Sequence, residues 1–481
     1  MSTSISETMV RDVVSQVLGE LGAAPSSPDV QPQSNGTPVG SGDGIFTTVD
    51  SAVTAAQAAQ KCLVEAGMEA RAQAVECIRE ICTEYKEELG KFELEETTIG
   101  RLDHKIAKLV NVATKVPGIE MLRTDAVSGD YGLGVTEYAP WGVIGAITPV
   151  THSAPTVACN AIMMIAAGNT AVFNPHPGGV RSAVKFGQLA SRRIKEKTGL
   201  RDLICILEKP TLETAEEIFT HPGISMLCIT GGPGVVDAAM SSSKKAVVAG
   251  PGNPPVVVDE TADIEKAAVG IIAGAAWDNN LLCIGEKEVF VVRSVADKLL
   301  DAMSRHGGYK LTSQQIKALA NAAVFYDDKS GHYVADKKYV GKDPQVLGKA
   351  IGITVPDNVD LLYGEVDESS PFLPCEQMMP FLPIMRCADV DEAIAKAVKY
   401  EHGFKHTAII WSSNVNNMTK MGKAVDTTIF IKNGACAAGL GAGGEGFSSF
   451  SIATPTGEGV TSPLTFTRLR RCVMVDNLRI I

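Results

Sequence analysis

Cys283 is the side chain best placed to act as a nucleophile. It lies in Trp277-Asp278-Asn279-Asn280-Leu281-Leu282-Cys283-Ile284-Gly285-Glu286, where polar residues give way to apolar ones between a long helix and a strand expected over Glu288–Val292. A thiol at such a junction can reach a cleft, and its thiolate both attacks and leaves well. Cys62, Cys77 and Cys82 fall instead within amphipathic helices, and Cys205 and Cys228 within apolar strands, where thiols are ordinarily inert packing. Position alone leaves a structural role open for Cys283 too. Two glycine clusters compete as phosphate cradles. Gly441, Gly443 and Gly446 have Gly-x-Gly-x-x-Gly spacing, but they follow no first strand and open no helix, and residues 447–452 read as extended. In Ile229-Thr230-Gly231-Gly232-Pro233 a buried strand ends in two glycines and a Pro starts the next helix, so backbone N–H groups and the helix dipole face a possible anion. A purely structural turn explains that pattern equally well. His402 and His406 are spaced for one helix face but straddle Gly403 with no third ligand near, so the spacing indicates no metal site.

These residues need a scaffold, and the chain has the length for one. It has 481 residues, 45% of them hydrophobic, enough for two or three domains, and its formal charge of −11 argues against a sequence-independent grip on nucleic acid. Its longest apolar stretches, such as residues 158–167, fall well short of the roughly 20 needed to cross a bilayer. Eleven scattered cysteines without a Cys-x-x-Cys pair suit free thiols in a reducing compartment. Helical periodicity covers residues 49–66 and 70–94. Short apolar runs then alternate with helical stretches: strands at 142–148, 170–173, 203–207 and 226–230, and a second series at 255–258, 288–292, 381–386, 407–411 and 428–432. Such βαβ repetition predicts an α/β protein with two Rossmann-like parallel sheets and ligands at the carboxyl ends of the strands. Segments 129–138 and 463–475 are strand-like and belong to neither series. They read as an arm that pairs outside its own sheet or as a solvated hairpin.

At the start of the chain Ile5, Met9, Val13 and Val17 recur every fourth position, forming an amphipathic helix with charged residues spread through it, unlike a secretory signal. In residues 22–44 that follow, 13 of 23 are Gly, Pro or Ser, which marks a flexible linker. The helix either folds back on its own domain or docks on a partner.

Read together, these segments resemble the aldehyde dehydrogenase superfamily, and more closely its CoA-acylating branch in bacterial microcompartments, the propionaldehyde and acetaldehyde dehydrogenases. The resemblance spans nearly the whole chain. It rests on Ala139-Pro-Trp-Gly-Val-Ile-Gly-Ala-Ile-Thr-Pro149, Ala166-Ala-Gly-Asn-Thr170, Pro175-His-Pro177, Ile229-Thr-Gly-Gly232, the run from Gly250 to Asp263, Asp278-Asn-Asn280 before Cys283, and Lys432-Asn-Gly434 through Thr461. It implies a nucleophilic Cys283 that forms a thiohemiacetal and then, after hydride transfer to NAD⁺, a thioester. The backbone N–H of Cys283 and the segment 148–151 are the implied oxyanion donors. Thr151 stands where hydrolytic members carry Asn, and Ala249 where they carry the Glu that activates water. Coenzyme A is then the expected acyl acceptor, with His406 as the group that activates its thiol.

The resemblance also implies cofactor contacts: Thr230, Gly231 and Gly232 near the pyrophosphate, Thr148 and Pro149 on the nicotinamide side, Glu376 at the nicotinamide ribose, and Gly250 among the other cofactor contacts. Pro175, His176 and Pro177 follow Asn174, which replaces the family's usual Lys; NAD is favoured over NADP because no basic residue is offered to a 2′-phosphate. The implied organisation is an encapsulation peptide (1–22) for shell proteins, a linker (23–45), an NAD-binding domain (46–254) with arm strands 129–138, a catalytic domain (255–435), and a return segment with oligomerisation arm (436–481). A homo-oligomer, dimer or dimer of dimers, within a cytoplasmic microcompartment lumen follows. The aldehyde is left open among acetaldehyde, propionaldehyde and lactaldehyde. A hydrolytic aldehyde dehydrogenase and a catalytically silent scaffold are the alternatives.

Overall fold

The computed structural model describes residues 43–328 and 330–476, so the expected peptide at 1–22 and nearly all of the linker at 23–45 lie outside the described residues. The chain divides into two compact units, one built from residues 1–89, 112–250 and 449–481, the other from 90–111 and 251–448. Residues 90–111 and 436–448 thus sit with the second unit, where the sequence boundaries had put them elsewhere. Part of the reason lies in buried ammonium groups: Lys105 binds Glu93 at 3.0 Å and Lys108 pairs with Asp278, all four nearly or fully buried.

In the first unit six parallel strands lie in the order Ile45–Phe46, Ile204–Leu207, Thr170–Pro175, Val143–Thr148, Met226–Thr230, Lys245–Ala249. Every residue of Val143–Thr148 and Thr170–Pro175 is buried, as expected of central strands covered on both faces. From Val143–Thr148 the chain adds strands first on one side and then on the other, so Thr148 and Thr230 end at the switch point of the sheet, where such sheets bind ligands. The intervening helix Ser153–Ala166 is buried at every position, which its Ala, Ile and Met content allows. The long helix Val49–Glu84 is capped by Thr48, whose hydroxyl accepts the Ser51 N–H at 3.3 Å, and is broken at Gly67, where φ is +79°.

In the second unit seven parallel strands run in the order Gly308–Lys310, Leu361–Glu365, Phe381–Cys387, Glu288–Val292, Pro255–Val258, Thr407–Trp411, Ile429–Lys432. The strand reading missed Gly308–Lys310, a short edge strand, and Leu361–Glu365, which follows a turn-rich stretch; it also missed the helices Leu102–Lys115 and Ser313–Ala323.

The two orphan segments form one antiparallel sheet of Asp125–Gly129, Gly132–Pro140 and Thr467–Val475, in which Arg470 stands opposite Glu137. The last strand begins only at Thr467, because Pro463–Phe466 is a capped 3₁₀ turn. Residues 447–452 are not the extended run expected. Only Ile452–Ala453 pairs, since the Ser449 hydroxyl accepts the Ser451 N–H at 3.0 Å and lies 2.6 Å from Thr461 Oγ1, drawing local backbone away from a ladder.

Candidate active site

Cys283 is half-buried at the end of an arch whose backbone is unusual. Asp278, Asn279 and Asn280 have φ of +49°, +55° and +65° in succession, a left-handed run that Asp and Asn tolerate better than other non-glycine residues. Buried bonds hold it. The Asp278 carboxylate accepts the Arg101 N–H at 2.8 Å and pairs with Lys108, while the Asp278 N–H donates to His104 Nδ1 at 2.9 Å. Asn279 Nδ2 donates to Gly341 O at 3.0 Å and Asp343 Oδ1 at 2.8 Å; Asn280 Nδ2 donates to Ala275 O and Glu286 O, both at 2.9 Å. The arch fixes where the thiol emerges.

Around Cys283 the second unit gathers Gly252, Glu376, His406 and Lys287. A Cβ on Gly252 would lie 2.5 Å from the Cys283 carbonyl oxygen and 3.0 Å from the His406 ring, so only glycine lets the three segments meet. The Gly252 N–H donates to Glu376 Oε1 at 3.4 Å. Burial, reinforced by Glu376, pushes the Cys283 thiol up to about 12, against the opposing charge of Lys287. Burial likewise raises Glu376 above the usual carboxylate range. The His406 ring is buried and held down to about 4, by burial first and by Lys287 second, so it is a neutral imidazole near pH 7. Its Nδ1 lies 2.9 Å from Thr407 Oγ1, and its Nε2 has no partner among the described residues. His402 does not share a helix face with it: the helix ends at Tyr400, and His402 sits at φ +61° on an exposed turn.

The expected cofactor residues lie in the first unit, except Glu376. Thr148 is buried with its hydroxyl unpartnered among the described residues, and its carbonyl accepts the His176 N–H at 2.9 Å. Pro175 stands beside Thr148 in register, and His176 Nδ1 accepts the Gly178 N–H at 3.0 Å, capping the turn Pro177–Gly179. Pro149 and Thr151 follow Thr148 in the half-buried link to the helix Ser153–Ala166. Thr230 is committed elsewhere: its hydroxyl is 2.7 Å from Ser451 Oγ. Gly231 N–H reaches Ala249 O at 3.4 Å, and Gly232 caps the helix Pro233–Met240 with open space where a Cβ would stand. Gly250 is pressed against Pro455, 3.1 Å from a would-be Cβ. An orphaned hydroxyl and an open glycine N-terminus at the switch point suit a dinucleotide. Ala249, at the strand end, is buried and carries no base. The trio Gly441, Gly443 and Gly446 lies in the second unit after the 3₁₀ turn Cys436–Leu440, all at positive φ, and opens no helix.

The sequence reading missed the contribution of Gly252, Lys108 and Lys287. Only the Asp-Asn-Asn run carried a signal, its tolerance of left-handed backbone.

Comparison with known proteins converges on one group. The family model described as aldehyde dehydrogenase family matches residues 27–461. The acetylating acetaldehyde dehydrogenase EutE of Salmonella typhimurium is 46% identical over 439 residues, covering 91% of this chain and 94% of that protein. The solved propionaldehyde dehydrogenase of Rhodopseudomonas palustris, with bound CoA and an acylated cysteine, is 44% identical with a TM-score of 0.88, covering 92% of this chain and all of that one (100%). The propionaldehyde dehydrogenase of the Clostridium phytofermentans fucose utilisation bacterial microcompartment is also 44% identical, TM-score 0.88, covering 91% and 100%.

Proposed function

We propose, from the premise that this chain belongs to the aldehyde dehydrogenase family, that it oxidises a short-chain aldehyde with NAD⁺ and coenzyme A to the acyl-CoA and NADH. The observation that carries this reading is the half-buried Cys283, held on a pinned arch with the neutral His406 ring and the Cys283 carbonyl sharing the space over Gly252. Cys283 Sγ attacks the aldehyde carbon to form a thiohemiacetal. A bound NAD⁺ would supply the hydride acceptor, and loss of that hydride and of the hydroxyl proton leaves a thioester on Cys283 Sγ. Thr148, Pro149, Pro175, His176 and Pro177, with Gly231, Gly232, Gly250 and the backbone of Thr230, would hold the cofactor in the first unit. The backbone N–H of Cys283 is an oxyanion donor. His406 Nε2, unpartnered among the described residues, takes the proton of the CoA thiol, which attacks the thioester and expels Cys283. Water is a poor competitor because Ala249 offers no general base.

With aldehyde and NAD⁺ but no coenzyme A, about one NADH per active site is expected, followed by a stall. Intact-protein mass spectrometry should then show one acyl group, mapped to Cys283 and released as acyl-CoA on adding the thiol. Steady formation of free carboxylic acid without coenzyme A would establish the hydrolytic reaction instead.

The finer readings concern assembly. Residues 1–22 are the encapsulation peptide that binds shell proteins and places the enzyme in a microcompartment lumen. The antiparallel sheet with exposed Val127, Leu469 and Val473 is the oligomerisation arm of a dimer or dimer of dimers. A variant lacking residues 1–22 is expected to keep its activity and its light-scattering mass while losing co-sedimentation with purified shells. Retained co-sedimentation removes the targeting role, and a monomeric mass removes the arm's.

A further inference from the structure

One charged side chain fills the space beneath the cysteine arch. Lys287 has no exposed surface. Its Nζ donates to Asn280 O at 2.9 Å, to Asn280 Oδ1 at 2.7 Å and to Leu282 O at 2.9 Å. An ammonium has three donors, and here all three are used on residues three and one positions before Cys283. Asn280 is itself fixed by its two Nδ2 bonds and held at φ +65°. Burying a charge so completely is costly unless several acceptors return the lost hydration; these oxygens return part of it, and burial still holds the Lys287 ammonium below the usual lysine range.

The same charge acts on the groups around Cys283. Glu286, Glu288, Glu376, Cys375, Cys436 and His406 all feel it, together with Cys283. Burial holds Glu286, Glu288 and Glu376 above the usual carboxylate range, which weakens them as counter-charges. Lys287 opposes the burial that holds the Cys283 thiol protonated.

We propose that Lys287 is a positioning residue for the thiol chemistry: its ammonium holds residues 280–282 and supplies the positive charge against which Cys283 Sγ forms as a thiolate. This rests on the reading of Cys283 as nucleophile. It goes beyond that reading in assigning part of the activation to a side chain that touches no substrate.

The test uses full-length protein and the variants Lys287→Met, Lys287→Gln and Lys287→Arg. Each is alkylated with iodoacetamide from about pH 6.5 to 9.5, and the adduct on the Cys283 peptide is quantified by mass spectrometry. Below its pKa a thiol loses tenfold in thiolate per unit of upward shift, so Met and Gln should label Cys283 about tenfold more slowly at neutral pH, with the profile displaced to higher pH. Arg, which keeps the charge, should stay within about threefold of wild type. kcat should fall in step in the uncharged variants while KM for NAD⁺ holds. Gln retains donors without charge, so a wild-type profile in Gln, or in both Met and Gln, overturns the proposal. Failure of both uncharged variants to yield soluble protein also overturns it, assigning Lys287 to folding alone. The nucleophile reading is tested separately: a Cys283→Ser protein that still turns over defeats that reading, whereas an inactive one beside unshifted Lys287 variants defeats only this proposal.

Discussion

Cys283→Ser is expected to lower acyl-CoA-dependent NADH formation by on the order of 10⁴-fold or more, the scale on which enzymes lose rate when a covalent nucleophile is removed. The reason is two-sided. A serine hydroxyl is far less ionised than a thiol at any working pH, so attack on the aldehyde slows. The oxygen ester that would follow is also a poorer acyl donor to coenzyme A than the thioester. Little else should change, because the arch is held by Asp278, Asn279, Asn280 and Lys287 rather than by the sulfur. Calorimetric NAD⁺ binding to the variant should therefore match wild type. Turnover within about tenfold of wild type, well inside what loss of a nucleophile costs, would refute the assignment.

Lys108→Met is expected to destabilise the protein by about 3–5 kcal/mol, the usual cost of leaving one partner of a buried ion pair unpaired. Both Lys108 and Asp278 have no exposed surface. Burial holds Lys108 down to about 8, and for Asp278 the nearby ammonium groups outweigh burial and keep its carboxyl below the usual range. Removing the ammonium leaves a carboxylate that must either stay charged in the interior or take up a proton. The loss should appear as a lowered urea midpoint, and it should shrink at acid pH, where protonating Asp278 costs less. Adding Asp278→Asn to Lys108→Met should recover part of the loss, since an amide can still accept the Arg101 N–H through its oxygen. A single variant within about 1 kcal/mol of wild type would mean the pair is not what orders the arch.

Where the chain was legible, the signal was local. Residues 142–148, 170–173 and 226–230 read as strands because unbroken apolar runs between helical stretches have no other stable place than a sheet covered on both faces, and strands stand there at Val143–Thr148, Thr170–Pro175 and Met226–Thr230. The turn at Gly231 and Gly232 read as the opening of a helix because proline follows, and it is one. Short polar edges such as Gly308–Lys310 gave no such run and were missed. The reading of residues 447–452 as extended failed for a related reason: serine and threonine hydroxyls compete with the ladder, and which of them win depends on Thr461, ten residues after Ser451.

By itself the sequence determined the alternating α/β plan, and its motifs raised the expectation of a nucleophilic Cys283 with the apolar Ala249 at the position of a water-activating base. Only the tertiary structure decided what surrounds that thiol. Gly252 meets Glu376 across 124 positions, Lys108 meets Asp278 across 170, and Lys287, which sits between two glutamates like an ordinary surface lysine, points inward with no exposed atom. Periodicity reports which face of an element is apolar. It carries no record of which buried charge finds its partner, because that is settled by desolvation as the chain packs.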